Sequence, residues 1–349
     1  MAINLFGREW TRRELLERIG SLSQVAGVER FTFTEGCADG VRAARVRTGG
    51  GLDFTVLMSR GMDIGAASYK GVPFAWQSAT EAAHPHALDQ SQPNGRGWLR
   101  SFHGGLLTGC GLSNAGAANV DGDEHLGIHG FLSHIPADET FAGIEWGNDD
   151  SAQIVVRGVM RETRVFGENL HLQRTITAPL GGNHLRVEDT VTNVGFAEVP
   201  LMLLYHLNFG FPLVSENTEI ITNATIPPEP RDADAEMGKD SANQLTAPTP
   251  DYREQCFFHS PRPDGSGYAT VQMTNNALPL TATVRYDARA LPHLTQWKMI
   301  GQGEYVCGIE PANCRVFGRS TERAAGRLQT IAPGETRTFT VEIGVSDRL

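Results

Sequence analysis

The sequence has 349 residues, 40% of them apolar and 20% charged, which is ordinary for a globular protein and excludes a wholly disordered chain. Its 30 basic and 40 acidic residues give a formal net charge of −10, which argues against a general nucleic-acid or anionic-membrane surface. No run approaches the ~18 apolar residues of a membrane helix, and the charged N-terminal segment lacks a signal-peptide core. We therefore expect a cytoplasmic protein that binds neither nucleic acid nor membrane.

One early helix is predicted, and strands follow it. Thr11 and Glu14 form a T-x-x-E capping box ahead of an apolar stripe from Leu15 to Leu22, so residues 1–25 are expected to form a short helical lead-in. Short runs rich in Val, Thr and Ile then alternate with Gly, Pro, Asn and Asp turns, which predicts strands. The predicted strands are 41–48, 52–58, 152–160, 170–178, 184–194, 199–209, 219–226, 268–274, 281–287, 304–310 and 336–345.

So many strands with almost no helix between them argue against βαβ units and favour an all-β fold, a large antiparallel β-sandwich. No repeat or linker divides the chain, so residues 1–349 are predicted to form a single domain. Two long segments interrupt the strands. Residues 79–133, rich in Gly and His, are predicted to form a site, and the acidic, Pro-rich residues 227–254 are predicted to be a surface excursion.

The first candidate site residue is His129, in the stretch HLGIHGF (125–131). Gly130 would let the backbone pass close to another group, and His129 beside it could contact a ligand or bond a carbonyl in a turn. With His125 and His134 it forms a trio whose spacings of four and five would suit zinc on a helix. The glycine-rich setting argues against that helix, so no metal site is predicted.

The second and third candidates are polar residues in strands that otherwise look buried. His206 and Asn208 share one face of the strand LYHLNFG (204–210), so they must be either mutually satisfied or functional. Glu310 ends an apolar strand and is followed by Pro311. Burial would raise its pKa and make it a better base near neutral pH, although a carboxylate in a salt bridge at the rim is the simpler alternative.

The fourth candidate group lies near tight glycine turns. Arg60 and Asp63 belong to RGMDIG, and Arg100 and His103 belong to RSFHGG. An arginine in such a turn could hold a hydroxyl or a carboxylate of a ligand. A structural Arg60–Asp63 pair explains the first motif equally well.

Six stretches resemble motifs of the aldose 1-epimerase (galactose mutarotase) superfamily, and above all of its DUF4432 branch, along nearly the whole chain. They are RGMDIG (60–65), FHGGLLTGCGL (102–112), IHGF (128–131), YHLNFG (205–210), QWKM (296–299) and GIEPAN (308–313). The resemblance implies the family fold, a large antiparallel β-sandwich. It also implies that His206 is the general acid, Glu310 the general base and His129 a substrate-binding residue.

The remaining residues of these motifs become candidates for substrate binding through the same resemblance. They are Arg60, Asp63, Arg100, His103, Asn208, Gln296 and Lys298. Asn208 stands where the superfamily motif has an aromatic residue, and the family's substrate-binding aspartate has no clear counterpart. The catalytic trio therefore transfers better than the substrate preference.

The activity implied is mutarotation of a small sugar without a metal or organic cofactor, in a chain that could form a homodimer. One alternative is a carbohydrate-binding or sensing protein that has lost turnover, and another is a different sugar epimerase or isomerase on the same fold. Glycoside hydrolysis is less favoured because it usually needs two carboxylates. Here Glu310 is well placed and Asp63 is a distant second.

Overall fold

The computed structural model describes residues 3–89 and 92–347. Its strands are β1 (Ile3–Leu5), β2 (Arg8–Trp10), β3 (Gly27–Thr32), β4 (Arg42–Arg47), β5 (Leu52–Leu57), β6 (Asp63–Tyr69), β7 (Val72–Pro73), β8 (Leu107–Leu112), β9 (Asn119–Asp121), β10 (Glu124–Leu126), β11 (Asp138–Trp146), β12 (Ala152–Thr163), β13 (Asn169–Pro179), β14 (His184–Asn193), β15 (Val199–Pro200), β16 (Met202–Gly210), β17 (Thr218–Thr222), β18 (Glu229–Pro230), β19 (Gln255–His259), β20 (Tyr268–Asn275), β21 (Leu280–Asp287), β22 (His293–Ile300), β23 (Tyr305–Ala312), β24 (Thr330–Ile331) and β25 (Thr336–Asp347).

The helices are few and short. The α-helices are α1 (Arg12–Leu16), α2 (Ala233–Met237) and α3 (Arg319–Ala324), and the 3₁₀ helices are Leu22–Gln24, Gly36–Ala38, Pro85–Ala87, Pro93–Arg100, Leu132–His134 and Lys239–Ser241. Thr11 and Glu14 cap α1 with the predicted capping box. Within the described ranges, no helix is both long and apolar enough to cross a membrane.

Two large antiparallel sheets form the body of the molecule. The larger has the strand order β18-β19-β22-β23-β16-β8-β6-β5-β4-β3, with β7 added beside β6. The smaller has the order β11-β12-β13-β14-β25-β21-β20-β17. One apolar core contains buried side chains of both sheets, such as Leu207 of β16 and Phe339 of β25. The predicted all-β sandwich with a short N-terminal helix is therefore confirmed.

Strand β16 is buried along its whole length, because both of its faces are covered. Its odd-numbered residues, among them Tyr205 and Leu207, belong to the core between the sheets. Its even-numbered residues Met202 and Leu204 belong to a second apolar cluster on the opposite face. Alternation along a strand thus places His206 on the outer face of the larger sheet.

A buried polar cluster joins the two sheets behind this strand. Arg174 of β13 donates from Nε and an Nη to the two carboxylate oxygens of Asp189 of β14, at 2.9 and 2.6 Å. Its other Nη donates to the carbonyl of Gly61, just before β6. The hydroxyl of Tyr205 on β16 donates to the same Asp189 carboxylate at 2.8 Å. Hydrogen bonds from both sheets thus compensate for the cost of removing this charged pair from water.

Residues 227–254 pack against the end of the larger sheet. Ala235 of α2 and Ala242 form a small buried cluster with Phe257 of β19. Arg231 and Glu254 lie in this segment and reach the cavity described below. The segment predicted as a surface excursion is therefore also part of a cavity wall.

Candidate active site

A cavity of about 690 Å³ lies on the outer face of the larger sheet. Strands β16, β19, β22 and β23 form its floor, and the loops between β7 and β8 and between β8 and β11 form its sides. Its lining residues are Trp76, Ser78, Ala79, Thr80, Trp98, Leu99, Phe102, Gly116, Ala117, Ala118, Ile128, His129, His206, Arg231, Glu254, Cys256, Trp297, Met299, Glu304, Glu310 and Val316. Much of this lining comes from residues 79–133, the segment predicted to form a site.

His206 and Glu310 form a hydrogen-bonded pair on the floor of the cavity. Leu207 of β16 pairs with Ile309 of β23, so His206 and Glu310 lie opposite each other on neighbouring strands. Nε2 of His206 lies 3.2 Å from Oε1 of Glu310, and both residues are buried. A Cβ atom at Gly308 would lie 2.9 Å from Oε1 of Glu310, so the glycine of GIEPAN leaves room for the carboxyl group.

Asn208 holds the imidazole ring of His206 from behind. The Asn208 amide nitrogen donates to the carbonyls of Gly104 and His206, at 3.2 and 3.0 Å. Its oxygen therefore faces Nδ1 of His206 at 2.5 Å and accepts a hydrogen bond from it. With the proton on Nδ1, the neutral ring presents an unprotonated Nε2 to Glu310. Asn208 is absent from the cavity lining, so it positions the histidine without reaching the cavity.

Burial moves the two pKa values of the pair in opposite directions. It raises the pKa of Glu310 from its ordinary 4.5 to about 8, a shift that the charge of Glu254 increases and that of Arg231 reduces. Burial also lowers the pKa of His206 from its ordinary 6.5 to about 4. Near neutral pH the pair therefore holds one proton, on the Glu310 carboxyl group, which donates it to Nε2 of His206.

His129 is a third functional group in the cavity. Its Nδ1 accepts a hydrogen bond from the backbone N–H of Gly116 at 3.3 Å, and burial lowers its pKa to about 3, so the neutral ring carries its proton on Nε2. Its ring centre lies 5.6 Å from that of His206. The backbone of His129 is left-handed at φ 58°, and a Cβ on the next residue, Gly130, would lie 2.3 Å from the Asn114 carbonyl oxygen. This tight turn presents an N–H donor to the cavity.

Aromatic rings surround the pair of His206 and Glu310. The rings of Phe102 and Trp297 each lie 5.2 Å from the His206 ring, centre to centre. Trp98 stacks on Phe102 at 4.5 Å and contacts the His129 ring at 4.6 Å. Such walls exclude water and offer flat apolar surfaces to a ligand.

A charged pair from the segment 227–254 lies at the cavity wall. Arg231 donates to Glu254 at 3.0 Å and to the sulfur of Cys256 at 3.0 Å, and its Nε donates to Asp232 at 2.7 Å. The indole N–H of Trp297 donates to the other oxygen of Glu254 at 2.9 Å. None of these groups was a candidate from sequence. Trp297 lies in the QWKM motif, whereas no local pattern marks Arg231, Glu254 or Cys256 as part of a site.

Three residues predicted as substrate-binding lie outside the cavity lining, in the protein interior. Arg60 donates to the Ala83 carbonyl and to the Ser133 hydroxyl, at 2.7 and 2.9 Å. Asp63 accepts from Ser133 at 2.6 Å, so the Arg60–Asp63 link runs through a serine. His103 is buried, and burial lowers its pKa well below the ordinary value. These residues support the structure behind the site.

Three further candidates also lie away from the cavity. Arg100 is exposed and donates to Gln92. Gln296 and Lys298 of β22 are buried and donate to the carbonyls of Ala242 and Ser241, at 2.7 and 3.0 Å. The polar residues of QWKM therefore hold the segment 227–254 against the sheet, and its tryptophan is the residue that reaches the cavity.

The histidine trio introduced with the first candidate does not converge on one point. His129 lies at the cavity, while His134 contacts the Ser101 hydroxyl at 2.7 Å and Arg60 at 3.4 Å. Within residues 3–89 and 92–347, no group of three or more His, Cys, Asp or Glu side chains is arranged to hold a metal ion.

The large antiparallel sandwich, with this cavity on its outer face, defines a galactose mutarotase-like fold. The chain belongs to the DUF4432 family, described as a domain of unknown function, whose model matches residues 38–345. The predicted resemblance to the DUF4432 branch is therefore confirmed.

Solved structures of similar fold agree with this assignment. A "putative aldose 1-epimerase" from Klebsiella pneumoniae is 24% identical, with a TM-score of 0.87 over 92% of this chain and 83% of that one. A galactose mutarotase-like protein from Clostridium acetobutylicum is 15% identical, with a TM-score of 0.60 over 93% and 99% of the two chains. Galactose 1-epimerase from Lactobacillus acidophilus is 13% identical, with a TM-score of 0.58 over 93% and 100%. At these identities the likeness concerns the fold alone. Among curated proteins, none matches the sequence significantly.

Proposed function

We propose that the protein is an aldose 1-epimerase-like isomerase, which interconverts the α and β anomers of a sugar by acid–base ring opening. The observation that carries this proposal is the His206–Glu310 pair, with 3.2 Å between Nε2 and Oε1, on the floor of an aromatic cavity. An acid and a base that share one proton suit a reaction that gives one proton to the substrate and takes one from it.

The reaction needs two proton transfers on neighbouring oxygens. One member of the pair takes the proton of the anomeric hydroxyl while the other gives its proton to the ring oxygen. The bond between the anomeric carbon and the ring oxygen breaks, and an open-chain aldehyde forms. After rotation about the adjacent carbon–carbon bond, the reverse transfers close the ring with the opposite configuration. The pair ends with one proton, as it began, and nothing is oxidised or reduced.

The direction of proton transfer depends on where the shared proton lies. When His206 carries it on Nε2, His206 is the acid and Glu310 the base, as the family resemblance implies. Burial favours the neutral form in the empty cavity, in which Glu310 carries the proton. The roles exchange between ring opening and ring closure, so each residue acts in both capacities within one turnover. Asn208 keeps Nδ1 protonated throughout, which reserves Nε2 for exchange.

The cavity also suits sugar recognition. Neutral His129 offers an N–H donor to a hydroxyl group, and the ring of Trp297 offers an apolar surface beside the pair. A binding protein would need this donor and these rings, but it would not need an acid in contact with a base. This contact is why we favour an enzyme over a carbohydrate-binding protein without turnover.

Exchange spectroscopy by NMR tests the proposal directly. A panel of aldoses with their acid and deoxy derivatives is measured with the wild type, with Glu310→Gln and with Glu29→Gln, which alters an exposed carboxylate on β3. We expect faster exchange between anomers for at least one sugar, lost in Glu310→Gln and kept in Glu29→Gln. Binding by saturation transfer without faster exchange of any sugar would instead identify a binding protein.

A further inference from the structure

The aromatic lining of the cavity continues beyond the catalytic pair. Phe102 and Trp297 contact the His206 ring directly. The ring of Trp76 lies 5.7 Å from Phe102 and 6.0 Å from Trp297, so it stands one ring further from the pair. The row of aromatic rings therefore extends further than a single sugar ring bound at His206 and Glu310 requires.

Trp76 is held in place by two of the glycine-rich motifs. Its backbone N–H donates to the Asn208 carbonyl at 2.9 Å, and its carbonyl accepts from Gly105 at 2.7 Å. A Cβ at Gly104 would lie 2.5 Å from Cε3 of the indole, and a Cβ at Gly210 would lie 2.8 Å from Cα of Trp76. The glycines of FHGG and NFG thus leave space for this tryptophan, which shows that the outer part of the wall is a built feature.

The cavity is also larger than one sugar ring needs. Its 690 Å³ falls in the range of about 300–1,000 Å³ that is typical of sites for drug-sized ligands. The catalytic pair lies at the buried end, so the anomeric carbon must enter first and the rest of the ligand must extend towards the mouth. Trp76 and Trp297 are half-buried, and Leu99, another residue of the lining, is 49% exposed.

The cation and the hydroxyl groups of this wall already have partners, whereas the carboxylate of Glu304 has none among the described residues. The hydroxyls of Ser78 and Thr80 both donate to the Phe102 carbonyl. All three guanidinium nitrogens of Arg231 donate to Asp232, Cys256 and Glu254. Among the described lining residues, the outer wall therefore offers ring faces, apolar carbon and the carboxylate of Glu304, with no unpaired cation for a phosphate or a carboxylate. It complements the C–H face of an uncharged sugar ring.

We propose that the substrate is a neutral reducing disaccharide, or the reducing end of a longer glycan. This inference rests on the proposed function. The reducing ring lies on His206 and Glu310, and the second ring packs on Trp76 and Leu99 at the mouth. The outer residues then determine specificity, because they contact the substrate away from the bond that opens.

The test compares disaccharides of several linkages with their component monosaccharides. Anomer exchange and saturation transfer are measured for the wild type, Trp76→Ala and Leu99→Ala. Phe196→Ala serves as the control, because Phe196 is a fully exposed ring outside the cavity lining. Leu99→Ala removes only a partly exposed side chain and should fold even if Trp76→Ala does not.

We expect kcat/KM to be higher for at least one disaccharide than for its monosaccharides. Trp76→Ala should reduce this preference about tenfold, the effect of roughly 1.4 kcal/mol of lost packing, and Leu99→Ala should reduce it by a smaller factor. Equal or better turnover of monosaccharides would overturn the inference and leave the proposed function standing. If no sugar is turned over, the proposed function fails, and binding measured by saturation transfer decides the inference. Disaccharide binding that is tighter than monosaccharide binding and weakens in both variants supports it. Equal binding of disaccharides and monosaccharides refutes it.

Discussion

The amide oxygen of Asn208 accepts a hydrogen bond from Nδ1 of His206, two residues earlier on the same strand, at 2.5 Å. The two side chains share a face because alternation along β16 brings residues i and i+2 together. The orientation of the amide is fixed by two backbone carbonyls, which accept from its nitrogen. The local sequence of β16 thereby keeps a proton on Nδ1 of His206 and leaves Nε2 as the nitrogen that we propose exchanges protons.

Replacing Asn208 should therefore impair the histidine without removing it. In Asn208→Ala, Nδ1 loses its acceptor and the ring can place its proton on Nε2, which should lower turnover by about 10- to 100-fold. The carbonyl of Gly104 also loses one donor but keeps the Thr108 hydroxyl, so the protein should lose only about 1 kcal/mol of stability. Nitrogen chemical shifts of the His206 ring report the tautomer directly. An unchanged tautomer with unchanged turnover would contradict the positioning role.

The pH dependence of kcat/KM should be bell-shaped, because the pair works only while it holds one proton. Below about pH 4 His206 is also protonated and no base remains, as follows from its lowered pKa. Above about pH 8 Glu310 is ionised beside a neutral His206 and no acid remains, as follows from its raised pKa. The acid and alkaline limbs of the profile report macroscopic pKa values of the coupled pair. A profile that stays flat from pH 5 to pH 10 would exclude this pair as the acid and the base.

Stability should depend on the same carboxyl group, and no substrate is needed to measure it. The pKa of Glu310 is raised in the folded state, so its contribution is fully present below about pH 4.5 and is lost as the pH rises through about 8. Glu310→Gln cannot ionise, so its Tm relative to the wild type should be higher at pH 9 than at pH 5. Thermal unfolding at both pH values checks this. For the control variant Glu29→Gln, which alters an exposed carboxylate, the Tm relative to the wild type should be the same at pH 5 and at pH 9.

The proposed acid–base pair and its neighbour Asn208 could be singled out from sequence because each residue breaks a local pattern. His206, Asn208 and Glu310 are polar residues in runs that are otherwise apolar, and the structure brings the three together. Strand β8 was missed for a related reason. Its sequence, LTGCGL, looks like a loop because glycine is unfavourable in strands. A Cβ at Gly111 would lie 2.5 Å from the Met202 carbonyl oxygen, so close packing between strands explains this glycine.

The rest of the site could not be predicted, because it depends on which segments the topology brings together. Arg231 lies in an acidic, Pro-rich stretch without a local signal, and only the pairing of β18 with β19 carries it to the cavity. Conversely, Arg60 and Lys298 are polar residues in apolar surroundings, as His206 and Glu310 are. Their partners are backbone carbonyls in the interior. Sequence shows that a polar residue is buried and does not show which cavity it faces.

The charge of Glu254 should tune the alkaline limb of the pH profile. Glu254 raises the pKa of Glu310, so Glu254→Gln should lower that pKa and move the limb below about pH 8. The amide oxygen can still accept from Trp297, so the indole keeps a partner. Because Glu254 is exposed, the shift should shrink at high ionic strength. Profiles measured at low and high salt check this, and a limb that moves to higher pH would refute it.

The buried pair of Arg174 and Asp189 should matter more for stability than any surface ion pair. In Asp189→Ala the buried guanidinium loses its hydrogen-bonded counter-charge and keeps only the Asp63 carboxylate, 3.9 Å away, and Tyr205 loses its acceptor, so unfolding should become about 3–5 kcal/mol easier. Glu145→Ala removes an exposed partner of Arg157 and should cost less than about 1 kcal/mol. Urea unfolding of both variants measures the difference. Replacing Arg174 and Asp189 together with apolar residues should recover part of the loss, because the guanidinium charge that lost its main partner is then removed as well. A double variant less stable than Asp189→Ala would show that Arg174 stabilises the junction of the sheets even without Asp189.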